Sequence, residues 1–143
     1  MIQVVADISG VDLEVQAATD EKMPHMYMKV SDGSILTYPE AIIKHIARMN
    51  LSSGLIGKTA FDQAKDDEWI TWCQTAWALP AHSAVCQVYG KHTLNNEKFN
   101  ADVKAVKEHC KVFDSYLKGK KWISGDTFSL ADIWVGTHMS HAF

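Results

Sequence analysis

Near residue 51 the hydrophobic pattern of this chain changes period, and that change limits the available folds more than any other property. Before it, apolar side chains alternate. Beyond it, they recur every three to four residues. A period of two suits a strand with one buried face, and a period near 3.6 suits an amphipathic helix. The chain should therefore build a mixed α/β lobe first and an all-helical body second.

In the first part, Val11 to Ala17 (VDLEVQA) alternates as a half-buried strand does. Met26, Met28 and Val30 form a second alternating run, and Ile35 to Thr37 a short third. Ser31-Asp32-Gly33-Ser34 lies between the last two, and Asp-Gly in that position predicts a hairpin turn. Pro39 is tolerated in a first helical turn and opens a helix over Glu40 to Met49, with Ile42, Ile43, Ile46 and Met49 as its stripe. Residues 51–58 (LSSGLIGK) read as a linker between a lobe at 1–50 and a helical domain at 59–143.

Phe61 to Trp77 reads as helical, with a polar patch at Asp62, Lys65, Asp66 and Asp67. Pro80 should break or bend it before a further piece over Ala81 to Tyr89. Phe99, Val103, Val106, Cys110, Phe113 and Leu117 mark a long helix that Gly119 stops. Ser129 and Asp132 have capping-box spacing, with Phe128 and Ile133 placed for a hydrophobic staple. The helix they start, Leu130 to Phe143, is apolar around much of its circumference, as a central helix is.

Charged residues make up 22% and hydrophobic ones 47%, with a formal net charge of −3. That balance argues against a nucleic-acid binder, and Lys118, Lys120 and Lys121 read as a solvated helix end. No apolar run is long enough to cross a membrane, and Met1 to Ala6 lacks the pattern of a signal peptide. Cys73, Cys86 and Cys110 are widely spaced with no CxxC pair, which suits reduced thiols and a cytoplasmic setting.

His138 and His141 are three apart, but no Cys or carboxylate joins them as a metal set, so no metal and no cofactor is expected. His82 and Cys86 have the spacing of a base and a nucleophile, but a buried structural cysteine beside an unrelated histidine is the better reading. Gly54-Leu-Ile-Gly57-Lys58-Thr59 lacks the first half of a P-loop.

Gly125-Asp126-Thr127-Phe128-Ser129-Leu130-Ala131-Asp132-Ile133 resembles the "G-D-x-x-[ST]-x-A-D-[IL]" segment of the glutathione-transferase C-terminal domain. Lys22-Met23-Pro24 before the hairpin resembles that superfamily's "K-V-P" turn, whose proline is cis, and Ala41-Ile42 its "A-I" helix start. The resemblance implies a truncated thioredoxin-like lobe followed by a helical bundle. The first strand, its activating hydroxyl or thiol, and further C-terminal helices should lie outside these residues. By this alignment Ser9 falls beyond the first helix.

Met23, Pro24, Tyr38 and Pro39 then correspond to a remnant of the glutathione site. Where the family has "[EQ]-S-x-A-I", this chain has Tyr38-Pro39-Glu40-Ala41-Ile42. Proline offers neither N–H nor hydroxyl to a ligand carboxylate, and Glu40 would repel one. No catalysis is therefore expected.

Within the superfamily, Trp69 through Gly90 and Asp114 through Gly125 are similar to the N-terminal domain of translation elongation factor 1-gamma. That likeness implies a protein-binding scaffold, able to dimerise or join a larger complex. Its partners would be the guanine-nucleotide-exchange subunit of elongation factor 1 or aminoacyl-tRNA synthetases, with no direct nucleic-acid or membrane contact. A structural subunit of another complex and a residual glutathione transferase are the alternatives.

Overall fold

A computed structural model describes residues 1–16 and 26–141. Helix α1 spans Ile2–Ser9 and ends at Gly10, whose φ of 64° is the left-handed geometry that glycine adopts without strain. The Val11 N–H closes this end on the Ala6 carbonyl at 2.9 Å. Ser9 is thus the last residue of the helix, not a residue beyond it, because Gly10 is the first position able to reverse the chain.

Residues 11–16, expected to be part of a strand, are irregular, and Ala17 lies outside the described residues. Val11 and Leu13 still pack partly buried against the core, whereas Val15 is 80% exposed. Alternation selects which side chains face inward, but a strand also needs a neighbour's backbone. Among the described residues that neighbour exists only between β1 (Met28–Lys29) and β2 (Ile35–Leu36). These two are antiparallel, with Met28 opposite Leu36 and Lys29 opposite Ile35. The Asp32 carboxylate accepts from the Ser34 N–H at 2.7 Å, and Gly33 has φ 89°, so the predicted turn forms where Asp-Gly put it.

Helix α2 (Pro39–Met49) starts at Pro39 and buries Ile42, Ile43, Ile46 and Ala47. Met49, expected on the stripe, lies at its edge in the last turn and is exposed. Asn50 then ties the connection down: its Nδ2 donates to the Ser9 carbonyl at 2.9 Å, and its Oδ1 accepts from the Ser52 N–H. The following stretch is also anchored. Leu55 is buried, and its carbonyl accepts from the Leu130 N–H at 3.0 Å.

Helix α3 (Ala60–Trp72) opens with a capping box of Thr59 and Asp62 that sequence reading did not single out. A π-helical segment, Cys73–Trp77, follows and runs directly into α4 (Ala78–Val88). Pro80 is the third residue of α4. Its ring crowds the carbonyl four residues back, and the wider π turn at that point relieves the crowding. The predicted break is therefore absorbed as a bulge within a continuous helical path.

Helix α5 (Asn96–Leu117) is capped by Asn95, whose side chain accepts from the Lys98 N–H at 3.0 Å. Its stripe packs toward α4 and the π segment, but of these side chains only Phe113 is buried. Helix α6 (Leu130–Ser140) carries the capping box at its start and buries Leu130, Ala131, Ile133, Trp134 and Val135. One apolar cluster joins Val5, Ile43 and Ile46 of the first helices to Ile70, Trp77, Leu130 and Trp134 of the bundle. Fully burying each such side chain contributes about 1.5–3 kcal/mol. Among the described residues, the indole N–H groups of Trp69, Trp77 and Trp134 are buried there without acceptors. No described helix is long and apolar enough to cross a membrane.

Candidate functional site

A groove of about 790 Å³ lies between α2 and the helical body. Tyr38 and Pro39 form its rim, Gln74 comes from the π segment, and Trp134 comes from α6. Tyr38 precedes the helix in extended geometry, as a residue before proline favours, and is 75% exposed. Met23 and Pro24 lie outside the described residues.

Polar chemistry in the groove centres on Lys44. Its ammonium pairs with Glu40 one helical turn away and with Asp67 of α3 at 2.8 Å. Burial alone would lower the Lys44 pKa, but the hydrogen bonds it donates to Asp67 and Glu40 outweigh that and hold the value above the usual 10.5. The second oxygen of Glu40 accepts from Gln74 Nε2 at 2.9 Å. The Glu40 carboxylate, expected to repel an anionic ligand, is thus engaged by two partners of the protein itself. The i, i+4 spacing of Glu40 and Lys44 was visible in the sequence. Asp67 and Gln74, 23 and 30 residues beyond Lys44, carried no signal that would find them.

A second polar cluster lies beneath the start of α6. Asp132 accepts from the Ser129 N–H and from the Ile123 N–H, both at 2.9 Å. The Ser129 hydroxyl donates to Asp66 at 2.8 Å, and the Ser124 hydroxyl donates to the same carboxylate. Asp66 is only 5% exposed. Burial raises its pKa, against the two serine hydrogen bonds that lower it. The capping pair Ser129 and Asp132 is therefore the visible half of a larger network, and its other half looked like one more charge in a surface patch.

The remaining pairs are locally satisfied. His138 and His141 meet the carbonyls of Trp134 and Thr137, at 2.8 and 2.6 Å, and among the described residues no group of three metal-ligating side chains assembles. Cys86 Sγ lies 3.3 Å from His82 Nε2, but the thiol is buried while the imidazole is exposed. Burial pushes the Cys73 thiol up to about 11, which leaves it protonated at neutral pH.

Residues 78–140 match the family model "Glutathione S-transferase, C-terminal domain". A glutathione S-transferase of Emericella nidulans is 25% identical over 99% of this chain, which spans 58% of that protein's length. A glutathione S-transferase-like protein of a Fusarium species is 24% identical over 99% of the chain and 71% of its own length. Among solved structures, the glutathione-bound theta-class glutathione S-transferase of Xanthomonas axonopodis pv. citri superposes with a TM-score of 0.77 at 19% identity. That superposition covers 98% of this chain and 72% of the other. The small α/β lobe and the helical bundle closed by α6 thus share the glutathione-transferase-like fold, and residues 78–140 are similar to that family's C-terminal domain.

Proposed function

We propose that the chain is a non-catalytic glutathione-transferase-like binding module. The observation that carries this is the N-terminus of α2. Pro39 removes a backbone donor there, and Glu40 places a carboxylate in the groove that already holds the Lys44 and Gln74 donors. A ligand carboxylate arriving at this point has lost its partners. The more specific role, an assembly platform of the elongation factor 1-gamma kind, rests on the sequence likeness of Trp69–Gly90 and Asp114–Gly125. Its protein partners would be the exchange subunit of elongation factor 1 or aminoacyl-tRNA synthetases.

A second reading, a residual glutathione transferase, is favoured by the names of the two relatives and by the Tyr38 hydroxyl at the groove rim. Purified protein is to be passed over immobilised glutathione and assayed with glutathione and an aryl halide. Passage without retention and turnover at the buffer rate are the expected results. Saturable turnover that Tyr38→Phe abolishes would establish the second reading instead. Capture of the exchange subunit from a translation extract supports the platform role, and its absence from the captured proteins counts against it.

A further inference from the structure

Taking that reading of the groove further, we infer that Glu40 is a built-in counter-ion that closes an anion site at Lys44. Lys44 is the cation from which a ligand anion would gain most, since only 16% of its side chain is exposed. A partly desolvated ammonium attracts more strongly than one in open water. The N-terminal turn of α2 adds a favourable field for negative charge. Glu40, in the first turn of that helix, takes both advantages for itself. One of its oxygens meets Lys44 and the other takes the Gln74 amide at 2.9 Å.

Charge around the groove is consequently balanced. Lys44 and Arg48 stand against Glu40 and Asp67, with His45 beside them. Removing the Glu40 charge leaves Lys44 with Asp67 alone and tips the set positive. A groove of this volume then has room for a small carboxylate or phosphate ligand between Lys44 and Gln74. Glu40 is thus a specificity-determining residue: it excludes anions from a site that is otherwise built for one.

The test uses the 143-residue protein with inorganic phosphate and glutathione as probes, followed by calorimetry and by the Trp134 indole and Gln74 side-chain amide signals. Glu40→Gln keeps an oxygen for Gln74 and should leave the circular dichroism spectrum unchanged. It is expected to bind phosphate about tenfold tighter than the parent. The double variant Glu40→Gln/Lys44→Gln should lose that gain. Equal binding by Glu40→Gln and the parent overturns the inference, as does a gain that survives loss of Lys44. Glutathione separates this inference from the proposed function. Turnover by the parent protein sinks the non-catalytic reading, whereas failure of Glu40→Gln to bind either probe sinks only the counter-ion inference.

Discussion

Asp66 holds an ionisable group in a place that disfavours its charge, and pH reads that out. Its folded pKa is raised above the reference 3.8, so the folded state binds the proton more tightly than the unfolded chain does. Stability from this residue therefore grows as pH falls through the raised value, is complete below 3.8, and is lost as pH rises again. Asp32 and Asp102 have lowered values, so their contributions disappear only below 3.8, in a separate window. Urea midpoints taken as pH falls from about 7 to about 4 should show a gain for the parent relative to Asp66→Asn, which has no proton to bind. A pH slope identical in the two proteins would contradict this. Asp132 is a plainer case. Asp132→Ala leaves the Ser129 and Ile123 N–H groups without their acceptor and should cost about 1–3 kcal/mol in urea unfolding. The exposed Asp126→Ala should cost almost nothing.

Between Leu55 and α3 the chain passes so close to the helix start that only glycine fits at position 57. A Cβ there would lie 2.4 Å from Asp62 Cβ and 2.8 Å from the Gln63 backbone nitrogen, inside the Thr59–Asp62 capping box. Gly57→Ala should therefore lower stability by about 1–3 kcal/mol. Gly136→Ala, mid-helix in α6 with open space around it, should raise stability by about 0.5–1 kcal/mol. Paired thermal melts check both signs.

Elements were legible where the signal was local. The Asp32-Gly33 turn, Pro39 at the first helical position and the Ser129–Asp132 spacing each determine a conformation within four residues. The strand expected over Val11 to Ala17 was not legible, because its alternation says nothing about a pairing partner. The π segment was equally silent, since Pro80 announces a disturbance but not where the helix absorbs it. The groove was half legible: Tyr38, Pro39 and Glu40 could be placed in sequence, but the ties to Asp67 and Gln74 exist only once α2 lies against the body.

The two parts of the chain share one apolar cluster, and a two-stranded sheet is marginal alone in water. Helices α1 and α2 are accordingly held by the bundle through Leu55, the Lys44–Asp67 pair and the Ile43 and Ile46 side chains. Unfolding should be a single cooperative event. Native-state hydrogen exchange in rising urea is expected to bring α2 amides and α6 amides to a common opening free energy. Earlier release of α2 as a separate unit would show that the shared cluster does not couple them.

Three enclosed indoles without acceptors also give the molecule an optical signature. An excited indole that meets neither solvent nor a hydrogen-bonding neighbour has few dipoles able to relax around it. Emission then stays toward the blue end of the tryptophan range. Because Trp69, Trp77 and Trp134 sit in the same interior, admitting water there shifts their light together, and the protein carries its own dye for the loosening of its centre.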